Sequence, residues 1–421
     1  MKLVEDFVTF NSSEIPVDSF WNTGEERELK MHRIHGYPAK FPAFITTKAL
    51  SYAAQQGLTV NRIADVFCGC GTVALEAKRN YIGFWGCDLN PVATLIAKVK
   101  SHKYQDARLS KYYTEIESLF QSGRKPPPRY VNAPERLKYW YTERQYCDLV
   151  RLRDAIETCT PKQSPYRLFF LCAFSNILKT TSRWLTKSIK PQIDPHKRPT
   201  EVWSAFLNQY DFMKTANNEI DFSGVLTTEI VTGDFLSSGK TCPNVDMIIT
   251  SPPYVTSYEY ADLHQLSSLW LKFTKDYREL RKGSIGSLYH KYDYEGGLEK
   301  LNNSGKETVL RLLAKDGSKA RSVAKYYLDM QKVVNKCKSM LKEGCMALFV
   351  IGNTEYKGIR IDNTHHLVES LIDSGFEDLR ITKRKISKKT LTPYRDERGR
   401  FTCDSSGRKV YSEEFIVIGR R

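Results

Sequence analysis

Apolar and polar positions fall into an ordered series of short elements along the chain. Residues 43–57 read as a helix that ends near Gly57. Arg62–Phe67 is a β-type run, followed by a turn at Gly69 and Gly71. Val73–Arg79 predicts a helix, Tyr81–Cys87 a strand and Val92–His102 a second helix. Strand, turn, helix, strand, helix implies a parallel, doubly wound sheet. Pro126, Pro127 and Pro128 then break the chain. Residues 135–215 look mainly helical, with apolar blocks such as Leu168–Leu178 and no clear strand alternation. The sheet resumes at Leu226–Val231 and Val245–Thr250, which Pro252 and Pro253 end abruptly. Residues 283–322 mix glycines and serines with charges and predict a mobile loop or lid. Lys325–Leu341 reads as a helix, Cys345–Ile351 as an apolar strand and His366–Asp373 as a helix ending at Gly375. Leu379–Ile386 and Phe415–Ile418 predict a closing hairpin at the sheet edge. The fold class is therefore α/β: a doubly wound, mostly parallel, seven-stranded sheet. We divide the chain into 1–102 and 226–421, the two parts of one core, with 103–225 as a mainly helical insertion.

Composition narrows the classes. The 421 residues are 41% hydrophobic and 27% charged, which is globular rather than disordered. No apolar run reaches the ~18 residues of a membrane span, and the first residues lack the pattern of a signal peptide. The ten cysteines are scattered and form no Cys-x-x-Cys pair, which argues against a disulfide framework or a cysteine zinc site. A reducing, cytoplasmic location is expected. The formal net charge of +16 favours an anionic partner, nucleic acid first. The sharpest basic clusters are Arg183, Lys187, Lys190, Lys197 and Arg198, and Lys383, Arg384, Lys385, Lys388 and Lys389. They are the expected phosphate contacts, although such a cluster is also an ordinary solvated surface.

Asp65-Val-Phe-Cys-Gly-Cys-Gly-Thr72 follows a strand and opens a helix. Gly69 and Gly71 allow a tight turn and close approach of a ligand to the backbone. Asp88 comes nineteen residues after Gly69, at the end of the next strand, where a carboxylate can accept from both ribose hydroxyls. Gly69-x-Gly71-x-x-Ala74 also matches a dinucleotide fingerprint. Asp65 tips the choice between the two ligands. A carboxylate beside the helix N-terminus repels a pyrophosphate. It attracts the ammonium and sulfonium groups of S-adenosylmethionine. Gly233-Asp234-Phe235 ends the third strand; Asp234 can accept from an adenine amino group with Phe235 packed nearby.

Ser251-Pro252-Pro253-Tyr254 sits at the carboxyl end of the fourth strand, where open α/β sheets keep their active sites. Two prolines make a rigid corner without backbone donors. Ser251 Oγ and the Pro252 carbonyl can each accept one N–H of an exocyclic amino group and aim its lone pair at a methyl donor. Tyr254 offers a face for an extruded base.

These two motifs together resemble the amino-group DNA methyltransferases, whose signature is Phe-x-Gly-x-Gly with Asp/Asn/Ser-Pro-Pro-Tyr/Phe. Here they read Phe67-Cys-Gly69-Cys-Gly71, with Thr72 next, and Ser251-Pro-Pro-Tyr254. Serine in the first position is most similar to the N4-cytosine branch. His35-Gly-Tyr37-Pro-Ala-Lys40-Phe41-Pro42 resembles the segment that lines the methionine end of the cofactor there, which implies roles for Tyr37, Lys40 and Phe41. Gly352-Asn353-Thr354 matches a later element of the family. The resemblance spans roughly 31–102 and 226–421. It implies a Rossmann-like methyltransferase core that uses S-adenosylmethionine to methylate cytosine N4 in double-stranded DNA after base flipping. Its natural setting is the modification enzyme of a restriction–modification system with a companion endonuclease. Residues 103–225 would then carry target recognition.

Other chemistries fit less well. C5-cytosine methylation needs a cysteine nucleophile in a Pro-Cys dipeptide, and the chain has none. The adjacent His365-His366 pair matches no metal-ligand spacing. Gly239-Lys240 lacks the earlier glycine of a phosphate-binding loop. The nearest rivals are N6-adenine methylation of DNA, amino-group methylation of RNA, and a non-catalytic nucleic-acid-binding module that kept the fold.

Overall fold

A computed structural model describes the chain except residues 5–10, 25–26, 39, 124–129, 189, 223–226, 238–243, 256–259, 289–291, 387–393, 396–403, 405–407 and 410–412. The strands are β1 (Lys2–Leu3), β2 (Arg62–Asp65), β3 (Gly83–Asp88), β4 (Thr228–Thr232), β5 (Val245–Thr250), β6 (Leu341–Ile351), β7 (Thr354–Tyr356), β8 (Ile359–Ile361), β9 (Glu377–Lys385), β10 (Tyr394–Arg395), β11 (Arg408–Lys409) and β12 (Glu413–Arg420). Eight of them form one sheet in the order β1-β9-β12-β6-β5-β2-β3-β4. From β4 to β6 every neighbouring pair is parallel. β12 runs against both β6 and β9, and so closes the sheet as the expected hairpin partner. The seven expected strands are all present. β1 adds an eighth, antiparallel to β9.

Alternation along the strands divides the core in two, because successive side chains of a strand point to opposite faces. On β6, Ala347, Phe349 and Ile351 join one apolar cluster, while Met346, Leu348 and Val350 join the other. Helices α1 (Ala43–Gln55) and α2 (Thr72–Arg79) cover the second face. α3 (Pro91–Lys100) follows β3 and packs on β4 and on the helix Pro165–Ile177.

The segment between α3 and β4 is helical, as its patterning predicts: α4 (Asp106–Gln121), α5 (Glu135–Trp140), α6 (Glu143–Cys159), α7 (Pro165–Ile177) and α8 (Val202–Asn218). Its aromatic core contains Trp140, Phe169, Phe170, Phe174 and Phe206, and is continuous with Val92, Leu95, Ile96 and Val99 of α3. The short helices α9 (Tyr260–Leu263) and α10 (Gln265–Trp270) follow the proline corner, and Trp270 enters the same core.

The expectation of a mobile loop over 283–322 is corrected. This stretch holds α11 (Tyr294–Glu299), α12 (Asn303–Leu313) and the first turns of α13 (Gly317–Met340). Asp293, Asn302 and Asp316 accept from the first-turn amides of these helices. Such caps satisfy donors that otherwise have no partner in the helix. The Glu369 carboxylate of α14 (Asn363–Asp373) accepts from the Asn303 and Ser304 amides at 3.1 and 2.8 Å. Leu301, Val309 and Leu312 are buried. The polar residues that resemble loop composition are in fact caps. Among the described residues, no helix is long and apolar enough to cross a membrane.

Gly71 tests how tightly the turn before α2 is built. Its φ is +75°, and a Cβ there would lie 2.6 Å from Ala97 Cα. Gly57 has a similar φ of +73° with nothing within 4 Å. We expect Gly57→Ala to cost only the left-handed backbone penalty, about 1–2 kcal/mol. Gly71→Ala should cost that plus a displacement of α3, about 3 kcal/mol or more. Paired denaturant titrations of the two variants check the difference.

Candidate active site

Four parallel strands end side by side at one edge, and each delivers a polar side chain there. In spatial order these are Asp234 after β4, Asp88 at the end of β3, Asp65 at the end of β2 and Ser251 after β5. Three strand spacings separate the first from the last, about 14 Å. Residues distant in sequence are thus lined up by topology alone.

Backbone and side chain lock the glycine turn together. The Gly69 amide donates to Asp88 Oδ2 at 2.9 Å, and Asp88 Oδ1 accepts from the Asn90 amide at 2.8 Å. Cys68 N bonds to the Cys87 carbonyl at 2.9 Å, and Gly233 N bonds to the Asp88 carbonyl at 3.0 Å. Gly69 has a φ of +48°. The nearest atoms to a Cβ built on it are those of the Tyr37 ring, 3.7–3.9 Å away. Tyr37 therefore roofs the turn. Its ring stacks on His264 at 5.0 Å between centroids and on Tyr260 at 6.4 Å. His264 was not a sequence candidate. It is 4% exposed, its Nε2 has no partner among the described residues, and burial lowers its pKa to about 3, so it is neutral.

Asp65 does more than the sequence implied. Its Oδ1 accepts from the Thr250 hydroxyl at 2.7 Å and from the Phe67 amide at 3.1 Å. The glycine turn is thereby joined to the residue preceding Ser251. Burial raises the Asp65 pKa to about 7 against the effect of these hydrogen bonds, and the nearby Asp88 raises it further. Burial likewise raises Asp88 to about 6. Two desolvated carboxylates on adjacent strands form a site in need of positive charge. An ammonium and a sulfonium supply it, and a pyrophosphate does not. The residues present therefore fit S-adenosylmethionine.

The other cofactor candidates are placed unevenly. Phe67 packs edge-on to Phe235 at 6.5 Å, and Phe235 is a core residue that also meets Trp85. Asp234 accepts from the Leu236 amide at 2.9 Å and the Ser237 hydroxyl at 2.6 Å, and Gly283 lies beside it. Thr72 is buried, with no partner on its hydroxyl among the described residues. Lys40 is held by the Glu28 carboxylate at 2.7 and 2.8 Å and by the His32 carbonyl at 3.3 Å. Phe41 packs on the α1–α2 side of the sheet with Phe44. Of the segment 35–42, Tyr37 is thus the side chain placed at the turn.

At the proline corner, Ser251 Oγ donates to the Val350 carbonyl at 3.0 Å. With its proton engaged there, the hydroxyl faces any further partner as an acceptor. Tyr254 is half-buried, and its hydroxyl donates to Glu414 Oε1 at 3.1 Å. Gly352-Asn353-Thr354 leaves β6 beside this corner. The Asn353 side chain bonds Asp362 and caps Thr364.

Several basic candidates are corrected. Lys383 is 6% and Arg384 3% exposed; Lys383 donates to the Ser13 carbonyl and Arg384 to Glu414. β9 lies between β1 and β12 and is covered on both faces, so the successive side chains Ile381 to Arg384 are all buried. Lys385 is exposed, and Lys388 and Lys389 lie outside the described residues. In the other cluster, Arg183 donates to the Lys138 and Tyr139 carbonyls at 3.2 and 2.5 Å. Lys197 donates to the Lys179 and Trp184 carbonyls at 2.8 and 2.7 Å, and burial lowers its pKa to about 8. Lys187, Lys190 and Arg198 remain exposed.

The raised carboxylates carry a pH signature. Both folded-state values lie above the unfolded range near 4. Protonation therefore favours the folded protein, and this contribution to stability is lost as pH rises from about 4 through 6–7. Buried histidines such as His35 and His264, with lowered values, respond in the opposite sense. Comparison with Asp65→Asn isolates the carboxylate. We expect the stability of the variant relative to the parent to increase as pH rises from 4 to 8 in thermal unfolding without ligand.

No family model matches the chain. It is 24% identical over 397 residues to the type II methyltransferase M.MvaI of Kocuria varians, covering 83% of this chain and 84% of that protein. Solved structures matched include the rRNA methyltransferase AviRa of Streptomyces viridochromogenes, at 9% identity and a TM-score of 0.30 over 96% of both chains. An S-adenosylmethionine-dependent methyltransferase of Clostridium acetobutylicum matches at 8% identity and a TM-score of 0.29 over 89% of both. Likenesses that low establish neither fold nor activity. The similarity to a type II methyltransferase, over more than four-fifths of each chain, is the comparison that bears on this site.

Proposed function

We propose that this chain is an S-adenosylmethionine-dependent DNA methyltransferase of the type II kind, acting on the exocyclic N4 of cytosine. One observation carries the reading. The glycine turn, with Asp65 and Asp88, is hydrogen-bonded through Thr250 to the strand end that presents Ser251-Pro-Pro-Tyr254. Similarity to M.MvaI over most of both chains supports its type II methyltransferase part, and the serine of Ser251-Pro-Pro-Tyr254 is what favours cytosine N4.

When bound, the cofactor supplies a methyl group already activated on a sulfonium. The chain's own residues do the positioning. Asp88, the Gly69 turn and Tyr37 hold the nucleoside and methionine parts, and the Asp65 carboxylate balances positive charge. Asp234 would hold the far end. Ser251 Oγ and the Pro252 carbonyl accept the two amino hydrogens of the target, which turns the nitrogen lone pair outward. Tyr254 stacks the flipped base, whose extrusion costs a few kcal/mol. Proximity and orientation dominate the rate. No general base of shifted pKa is needed, because the nitrogen releases its proton readily once methylated.

We assign target recognition to the helical segment 103–225, with Lys187, Lys190, Arg198 and Lys385 as phosphate contacts. Each such contact removed should lower the slope of log affinity against log salt by ~0.9. Lys197→Ala should instead lower the thermal midpoint and leave the slope unchanged, since its ammonium binds carbonyls. Filter binding to duplex DNA over a salt series separates the two classes. The biological setting we infer is modification within a restriction–modification system, with a companion endonuclease.

The test is one reaction. The protein, labelled S-adenosylmethionine and unmethylated genomic DNA are incubated, and the nucleosides are identified by mass spectrometry. We expect N4-methylcytosine. N6-methyladenine would overturn the base assignment while keeping the cofactor. No methylated base would overturn the DNA reading.

A further inference from the structure

Arg384 and Glu414 stand directly opposite each other on β9 and β12. Arg384 is 3% exposed and binds the Glu414 carboxylate through Oε2; its guanidinium carbon lies 5.7 Å from the centre of the Phe44 ring. The other oxygen, Oε1, accepts from the Tyr254 hydroxyl at 3.1 Å. Tyr254 follows Ser251 directly across the two prolines of the corner. A buried ion pair is a poor source of stability, because desolvation offsets most of its attraction. An apolar cross-strand pair would serve this sheet as well. What the ion pair provides and an apolar pair does not is a fixed acceptor oxygen at the tip of Tyr254. Upstream, Pro252 and Pro253 restrict the backbone, but they leave the ring free to turn about its own side-chain bonds.

We propose that Arg384 and Glu414 are positioning residues for Tyr254: Arg384 orients the Glu414 carboxylate, and the carboxylate holds the tyrosine hydroxyl so that the ring stays beside Ser251. This rests on the reading of Tyr254 as the platform for the target base. The reacting groups never touch either residue. Their effect belongs in kcat, and the binding of S-adenosylmethionine should not feel it.

Glu414→Ala should lower kcat for DNA methylation about tenfold or more, as expected for a misplaced reacting geometry. KM for DNA and calorimetric affinity for S-adenosylmethionine should stay within twofold. Glu414→Gln keeps an acceptor oxygen and should recover most of the rate. Tyr254→Phe, which removes only the hydroxyl at the tip, should lose as much as Glu414→Ala, and the double variant no more than either. A second readout needs no turnover. With 13Cζ-labelled tyrosine, the Tyr254 resonance is identified by its absence in Tyr254→Phe, and it should move in Glu414→Ala more than any other tyrosine signal. An unmoved resonance, or multiplied losses in the double variant, overturns the tether while DNA methylation stands. A parent protein that transfers no methyl group to DNA overturns the methylation reading and the positioning role with it, even if the resonance moves.

Discussion

A single buried hydrogen bond, from the Thr250 hydroxyl to the Asp65 carboxylate at 2.7 Å, ties the two halves of the site. Asp65 ends β2 and leads into the glycine turn; Thr250 ends β5 and leads into the proline corner. They are neighbours because β2 and β5 are adjacent parallel strands, although 185 residues separate them. Parallel pairing brings strand ends together at one edge, and loops there can be held relative to each other by side chains of the strands themselves. In the function proposed above, the carboxylate that answers the charge of the cofactor also fixes its distance to the corner that would hold the target amino group. Each function constrains the other, so neither loop can drift without breaking a bond in the dry interior.

The same economy recurs at the sheet edge. The N-terminal segment adds β1 to β9, and the Pro16 carbonyl accepts from the Lys383 amide at 3.0 Å. β9 is thereby an interior strand and not an exposed edge, which is why cations in a run of basic residues end up buried. Lys383 answers a backbone carbonyl and Arg384 a carboxylate. Their burial is compatible with charge because each cationic group meets an acceptor.

Much of this was legible in the sequence. The glycine turn, the β5–proline corner and the apolar run of β6 were readable because each is a local pattern: a positive-φ turn, a proline stop and seven successive buried residues from Cys345 to Ile351. The helices over 294–322 were not. There Asp293, Asn302 and Asp316 act as caps, but in composition caps and loops look alike. The partners of Arg384, Lys197 and Thr250 were also out of reach, since each depends on a residue of another element that only the folded topology supplies. His264 escaped for the same reason: it follows a corner that gives no sign of bringing it over Gly69 beside Tyr37. Net charge pointed to an anionic partner, yet it could not say which cations are free to meet one.

Gly71 has no side chain because Ala97 of α3 occupies that space, and α3 is buried on its other flank by the aromatic helices α7 and α10. The inserted helices and the ligand turn are therefore two ends of one rigid lever with α3 as its shaft. If contact with a long polyanion shifts α7, the turn must either follow or lose its fit. Linkage makes the relation mutual: a small molecule that stiffens the turn favours whichever arrangement of α7 is compatible with it, by the same free energy. Any such coupling would run through the packing of α3 itself, with no moving lid required.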